Sequence, residues 1–332
     1  MRLASRPRSA DFLPMALATL FWAWPTVFIR YIKRESGDAF TADALNVYRY
    51  AAGSFCALGI VALLRPGDLL TVLRRPLVPL LLAAILAAFQ IVWVRGVYHL
   101  NAAYSVLVGR STVIFALLLS YAVFADERRV IRSGRFLLSA ALAMAAVAGI
   151  VVLDPGFSVG AGAASQGSGP GLLGGTAILL VSAVIWAGYA VAIRGLARSL
   201  PSMATFAVTA VLATLMMVPA GLIDGHMGYI WSPECSWRVI GAVVFSGALC
   251  VGSTQVLYYV SLRRIGVART TLVSLATPFL TGVSAWLVLG GGERLTLWQW
   301  LLGGALVAGL ACMVWQPAAS EPAAGRRPGE AP

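Results

Sequence analysis

Long apolar runs separated by short polar segments make up most of the chain. Each run holds about 20 mostly apolar residues, the length that an α-helix needs to cross a bilayer. The runs are continuous and do not alternate in blocks of about ten, so they favour helices over a membrane barrel. The pattern predicts ten transmembrane helices, at 13–32, 43–64, 77–98, 102–124, 135–153, 171–194, 203–222, 237–261, 267–289 and 297–315.

The basic residues between the runs predict an orientation. If the N-terminus lies inside, 17 of the 25 basic residues fall in inner segments and five in outer ones. Inner loops normally carry the excess of Lys and Arg. We therefore expect a multi-pass protein with both termini in the cytoplasm. Lys33 is the only lysine among these residues, and this bias toward arginine suggests the inner membrane of a bacterium.

Two stretches without long apolar runs divide the chain. Residues 154–170 are rich in Gly and Ser and contain no basic residue, as expected of a flexible periplasmic linker. Residues 316–332 are rich in Pro, Ala and Gly and are predicted to be a disordered cytoplasmic tail. Five predicted helices remain on each side of the linker, in residues 1–153 and 171–315.

The two halves share a repeated pattern. Trp22 and Arg30 in the first predicted helix match Trp186 and Arg194 in the sixth, 164 positions later, and Gln90 matches Gln255 at an offset of 165. An odd number of helices per half makes the second half enter the membrane from the opposite side. The sequence thus predicts two inverted five-helix repeats, a plan common among secondary transporters.

Several motifs together resemble the drug/metabolite transporter superfamily, in particular its EamA-type members. They are Trp-Ala at 22–23 and 186–187, Arg49 early in the second predicted helix, and the segment from Pro278 to Glu293. The first half departs from this pattern, because Thr112 stands where Pro278 would be matched. The resemblance implies a ten-helix transporter that moves, and in many cases exports, small metabolites, amino acids or drugs.

Arg110 is the deepest charged residue in any predicted helix, about eight residues from its start, or about 12 Å along the axis. A charge inside a bilayer is costly and is a functional candidate by default. Gly109 leaves space beside it, and Ser111 adds a hydroxyl. We expect Arg110 to face a central cavity and to bind an anionic group such as a carboxylate. The alternative is a structural arginine that bonds to helix-end carbonyls.

Arg49 and Arg95 lie nearer the outer ends of their predicted helices. Their long side chains could extend to the lipid headgroups. Asp43 is a candidate partner for Arg49, although the two do not share a helix face. Arg49 stays a binding candidate because it also matches the family pattern.

Gln90 and Gln255 could flank a site near the membrane midplane, or they could only bond neighbouring helices. Aromatic residues occur beside them and in the middle of the first and sixth predicted helices, away from the usual interface belts. They complete the candidate binding residues: Trp22, Trp93, Trp186, Tyr189, Tyr258 and Tyr259.

Two prolines and two glutamates could act at helix breaks and ends. Pro25 and Pro278 each remove a backbone hydrogen bond, so they are candidate gates or tolerated kinks. Glu127 and Glu293 precede predicted helices, where a carboxylate favours the positive end of the helix dipole. We expect them to cap helices.

Composition and motifs exclude several classes of protein. The chain is 59% hydrophobic and only 11% charged, against about 25% charged in soluble domains, so we expect lipid as its solvent. The net charge of +12 does not indicate nucleic-acid binding, because the arginines lie in short loops. We find no nucleotide-binding, zinc-protease or nucleophile motif and no CxxC pair, so neither an enzyme nor a cofactor is predicted.

The leading interpretation is a secondary transporter of a small molecule, compatible with a homo-oligomer. No carboxylate lies at mid-depth in a predicted helix, so a carboxylate proton relay is not expected. A passive channel, a lipid-handling protein or a membrane-embedded enzyme is the alternative.

Overall fold

The computed structural model describes residues 9–37, 39–99, 108–152, 171–289, 297–298 and 300–305. Helices account for nearly all of these residues, and no strand occurs in them. The first half contains α1 (Leu13–Trp22), α2 (Trp24–Ser36), α3 (Ala42–Leu64), α4 (Pro66–Leu73), α5 (Leu77–His99), α6 (Thr112–Val123), α7 (Ala125–Ile131) and α8 (Gly134–Val152). The second half contains α9 (Gly171–Leu196), α10 (Ser202–Ile223), α11 (Trp237–Phe245), α12 (Thr254–Arg264), α13 (Gly266–Val273) and α14 (Thr277–Leu289).

Seven described helical runs are long and apolar enough to cross a membrane: Ser9–Ser36, Ala42–Leu64, Leu77–Gly96, Gly174–Leu196, Ser202–Ile223, Trp237–Arg264 and Gly266–Val288. Their outer surfaces carry large exposed apolar side chains, including Phe55, Leu63 and Ile223. Side chains of this kind suit contact with lipid and not with water. The prediction of an all-α, multi-pass membrane protein is confirmed.

The other three predicted spans are described only in part. Thr112–Val123 and Phe136–Ala146 are shorter apolar helices, and the tenth span is described only at 297–298 and 300–305. The predicted linker at 154–170 and the predicted tail at 316–332 lie outside the described residues, as do residues 1–8. Glu293, predicted to cap a helix, also lies outside them.

Several helices predicted to be continuous are broken near their middle. Pro25 follows a break at Ala23, which ends α1 and precedes α2. A 3₁₀ turn at Ser274–Ala276 separates α13 from α14. Arg110 and Ser111 form a turn before α6, so Arg110 is not inside a regular helix as the sequence predicted.

Hydroxyl side chains stabilise the turn before α6. Ser111 Oγ donates to the Val108 carbonyl at 2.6 Å, and Thr112 Oγ1 donates to the Gly109 carbonyl at 2.8 Å. Such local bonds give the backbone an alternative to the helical pattern. Thr277 repeats this arrangement at the start of α14, where its Oγ1 donates to the Ser274 carbonyl at 2.7 Å. Thr112 and Thr277 are 165 positions apart, the offset of the sequence repeat.

Helices of the two halves pack directly against each other, since α3 lies against α10 and α5 against α9. α3 also packs against a π-helical segment, Ser246–Ser253, which links α11 to α12. Glycines allow this approach: a Cβ added at Gly53 would lie 2.7 Å from the Gly247 carbonyl oxygen. Small residues permit the same close approach in other membrane bundles. The close contact fixes Arg49, on the same part of α3, beside the π-helical segment.

Candidate functional site

A cavity of about 180 Å³ lies between the two halves, where the broken helices meet. At about 30 Å³ per water molecule, it could hold roughly six waters. Nine of the residues that the sequence singled out as binding or gating residues line it: Trp22, Pro25, Arg49, Gln90, Trp93, Arg110, Trp186, Gln255 and Tyr258. The first and second halves therefore both contribute to one wall.

Arg110 reaches across the cavity from the first half to the second. Its Nη1 donates to the carbonyl oxygen of Ser274 at 3.0 Å, and its Nε is buried without a hydrogen-bond partner. The Ser274 carbonyl is the acceptor to which residue 278 would donate in a regular helix, but Pro278 has no N–H. The Ser274 carbonyl accepts instead from the N–H and Oγ1 of Thr277 and from Arg110 Nη1, and Pro278 does not itself line the cavity. Arg110 thus bonds a helix-end carbonyl and also lines the cavity, while its binding of an anionic group stays a prediction.

Arg49 is buried on α3 and donates from Nε to Ser246 Oγ at 2.8 Å. Ser246 begins the π-helical segment, so this bond joins the two elements whose glycines touch. Asp43, the partner considered for Arg49, accepts instead from Nε and Nη2 of Arg95 at 3.0 and 2.8 Å. Arg95 is therefore tied to α3, and the expectation that it simply extends to the headgroups was incomplete.

The repeated glutamines both lie on the cavity wall. Gln90 Nε2 donates to the hydroxyl of Tyr50 at 2.6 Å. Gln255 is also buried, and its Oε1 has no hydrogen-bond partner. The two amides therefore differ in what they can offer a ligand. A donor of Gln90 is already used by Tyr50, whereas the acceptor oxygen of Gln255 has no partner.

Aromatic rings form one side of the cavity. Trp22 packs against Trp186 edge to face at 5.7 Å between ring centroids, and Trp186 stacks on Tyr258 at 5.3 Å. Phe89 extends this group, 4.6 Å from Trp186 and 6.2 Å from Trp93. These contacts bring the Trp-Ala motifs of the two halves together in one aromatic wall.

Four predicted residues do not line the cavity. Tyr189 and Tyr259 are buried behind it, and their hydroxyls bond each other at 2.8 Å. The hydroxyl of Ser111 is used in the turn before α6. Pro278 lies in the first turn of α14 and acts on the cavity only through the carbonyl of Ser274.

Sequence reasoning missed most of the hydroxyl groups on the wall. Hydroxyl side chains within apolar runs stand out in the sequence. The sequence of one run does not show, however, which face of its helix points to the cavity. The missed lining residues are Thr26, Tyr50, Phe89, Val113, Ser182, Cys250, Val251, Thr271, Ser274, Thr277 and Thr281, whereas Gly109 and Thr112, noted beside Arg110 in the sequence, also line the cavity. Within the described part of the chain, no three His, Cys, Asp or Glu side chains are placed to hold a metal ion.

A second polar cluster lies at the far end of α6. The carboxylate of Glu127, at the start of α7, accepts from the backbone N–H groups of Val267 and Ala268 at 2.6 and 2.8 Å. Arg194, at the end of α9, pairs with Glu127 and, at 2.5 Å, with Asp126. Glu127 is therefore a cap, as predicted, but it caps α13 and not α7.

The comparison with protein families decides the class of the second half. Residues 173–315 match the sequence model of the EamA-like transporter family. This part of the chain is an EamA-like transporter domain. It contains α9 to α14, and with them Trp186, Gln255, Tyr258 and the helix break that receives Arg110. The cavity is thus built in part from the EamA-like domain.

The fold of the whole chain also occurs in a solved structure. One protein crystal structure superposes on this chain with a TM-score of 0.70 and 17% sequence identity, covering 92% of this chain and 96% of the other. This similarity extends the shared fold over the first half, outside the EamA-like match. No curated protein is significantly similar to the chain in sequence.

Proposed function

We propose that the protein is a secondary transporter that moves a small metabolite by alternating access through the central cavity. The observation that carries the proposal is the position of the repeated residues. Trp22 and Trp186, and likewise Gln90 and Gln255, come from opposite halves and line the same cavity. A site between two inverted repeats can be exposed to either side when one half rocks against the other.

In the orientation proposed from the basic residues, the cavity would open to the outside. In that orientation the Glu127 cluster lies at the cytoplasmic end, where it joins α6 and α7 to α9 and α13. The cavity begins at Arg110, just before α6, and α6 spans about 18 Å with its twelve residues. We therefore propose that the closed end is the inner one. Alternating access exposes the cavity to both sides in turn, so the proposed direction, export across the inner membrane of a bacterium, comes from the family resemblance.

Counterflow in proteoliposomes tests the proposal against the alternatives of a passive channel, a lipid-handling protein and a membrane enzyme. A ligand is first found by thermal stabilisation of the purified protein with amino acids, nucleosides, sugars, organic acids and drugs, since binding to the native state raises its apparent stability. Vesicles preloaded with unlabelled ligand should then accumulate labelled ligand transiently and saturably. A channel would show no stimulation from the opposite side. Chemical conversion of the ligand would instead indicate an enzyme.

A further inference from the structure

The charged groups on the cavity wall are all of one sign. Arg49 and Arg110 both line the cavity, and none of its described lining residues is Asp or Glu. The Nε of Arg110 is buried without a hydrogen-bond partner, and a guanidinium placed in this way favours the entry of an anion. The two arginines disfavour a cation in a space of about 180 Å³.

Arg110 has unused capacity for such an anion. A guanidinium carries five N–H donors, and Nη1 of Arg110 is used by the Ser274 carbonyl. The Nε–H is buried and has no acceptor. Nε and a terminal nitrogen form the planar fork that binds a carboxylate through two parallel hydrogen bonds. Binding of a carboxylate would therefore satisfy a donor that the protein leaves unpaired.

The helix breaks add positive potential at the same place. α6 starts at Thr112 and α14 at Thr277, and both threonines line the cavity. The N-terminus of a helix carries the positive end of its dipole, and broken helices in transporters direct such ends at anionic groups. This contribution agrees in sign with the two arginines.

The uncharged part of the ligand faces aromatic rings. Trp22, Phe89, Trp186 and Tyr258 form a continuous wall, with centroid distances of 4.6 to 5.7 Å between neighbouring rings. Such a surface favours a flat ring through offset or edge-to-face contacts. A ligand with one ring and a short acid chain could place its ring against this wall and its carboxylate at Arg110.

The ammonium group of an amino acid would find no carboxylate among the described lining residues. Among those residues, the buried side-chain acceptor without a hydrogen-bond partner is the neutral Gln255 Oε1, and an amide oxygen does not offset repulsion from guanidinium groups. We propose that the cavity selects a small aromatic carboxylate that has no ammonium group. This proposal rests on the proposed transport function and names the substrate class of the same site.

Four ligands that share a phenyl ring on a two-carbon chain test the proposal on the native protein by isothermal titration calorimetry. They are 3-phenylpropionate, its neutral amide, phenylalanine and 2-phenylethylamine. We expect 3-phenylpropionate to bind, phenylalanine and the amide to bind at least about tenfold more weakly, and 2-phenylethylamine not to bind. The proposal is overturned by any of three results. Phenylalanine or the amide binds as tightly as 3-phenylpropionate, 2-phenylethylamine binds, or 3-phenylpropionate itself does not bind.

Two further affinity measurements show what Arg110 and the aromatic wall each contribute to binding. Arg110→Gln should weaken 3-phenylpropionate by about tenfold or more, whereas Arg238→Gln, at an exposed position outside the cavity wall, should not. Saturating the ring to 3-cyclohexylpropionate should weaken binding as well. An unchanged affinity in Arg110→Gln, or for the saturated acid, would contradict the assigned anchor or ring wall. Counterflow of some other ligand would then still support the transporter, so the two proposals fail separately.

Discussion

The carboxylate of Glu127 accepts a hydrogen bond of 2.6 Å from the backbone N–H of Val267, which is 140 residues further along the chain. Glu127 is 4% exposed, and Arg194 pairs with it from a third element. Gly266 makes room for this arrangement, because its φ is +85° and a Cβ there would lie 2.6 Å from Glu127 Oε1. One side chain thus joins the first half of the bundle to the EamA-like domain at the end opposite the cavity.

Replacing Glu127 with Gln should weaken the contact between the two halves at this end of the bundle. The amide has no charge for Arg194 and can accept from the two N–H groups with only one oxygen, so we expect a loss of about 3 kcal/mol in the free energy of unfolding. We also expect the inner end to open more often. A Thr271→Cys reporter, one turn from Val267, should then react faster with an impermeant maleimide from the cytoplasmic side, in a background without the native cysteines.

Asp126→Asn is the matched control for Glu127→Gln. Asp126 pairs with the same arginine, but its side chain is 61% exposed, so its loss should change stability by no more than about 1 kcal/mol. It should leave the reporter reaction unchanged. A loss of stability in Glu127→Gln with no change in the reporter reaction would mean that Glu127 is a structural cap without a part in closure.

A methyl group at Gly247 should separate α3 from the π-helical segment. Its Cβ would overlap the carbonyl oxygen of Arg49 and lie 2.8 Å from the Cβ of Ala52. We expect Gly247→Ala to cost about 1–3 kcal/mol, as overpacking does elsewhere, and to weaken ligand binding because Arg49 moves. Gly241→Ala, with no atom within 4 Å of the added Cβ, should be stabilising by about 0.5–1 kcal/mol. Thermal unfolding and calorimetry of both variants check this, and equal effects would show that the close contact is unimportant.

The length of the apolar runs was enough to predict the seven membrane-length helices of the described residues, because the thickness of the bilayer sets the length of a spanning helix. The cost of a charge in lipid likewise pointed to Arg49 and Arg110, and the repeat pointed to Gln90 and Gln255. Each of these arguments uses one position and its local surroundings. In the structure, all four of these residues lie on the wall of one cavity.

The helix breaks and the hydrogen-bond partners that are distant in sequence could not be predicted from single positions. Ser111 and Thr112 are compatible with a helix, and the turn is shown by backbone bonds between residues three apart, from the Ser111 N–H to the Val108 carbonyl and from the Val113 N–H to the Arg110 carbonyl. Glu127 was expected to cap the helix that it begins, but the N–H groups that it binds belong to α13. Tyr189 sits at helical spacing from Trp186, yet packing against Tyr259 turns its hydroxyl away from the cavity. Only the packed arrangement of both halves determines these choices.

The buried tyrosine pair should contribute to stability and not to ligand binding. Tyr189→Phe or Tyr259→Phe removes the 2.8 Å bond between their hydroxyls, and loss of one partner from a buried hydrogen bond costs about 1–3 kcal/mol. The double variant should cost less than the sum of the two, since it leaves neither hydroxyl behind. Affinity for 3-phenylpropionate should stay unchanged in all three. Additive stability losses, or a loss of affinity, would contradict the structural role of the pair.

Pro278→Ala should weaken ligand binding even though Pro278 does not line the cavity. The new N–H could donate to the Ser274 carbonyl and compete there with Arg110 Nη1, since this oxygen also accepts from the N–H and Oγ1 of Thr277. Arg110 would then lose the contact that orients it, so we expect the affinity for 3-phenylpropionate to fall several-fold and the counterflow rate to fall with it. Pro219→Ala is the control, because Pro219 lies inside α10 on an exposed face and away from the cavity wall. If both variants bind and transport like the native protein, the proline at 278 is a tolerated kink with no influence on Arg110.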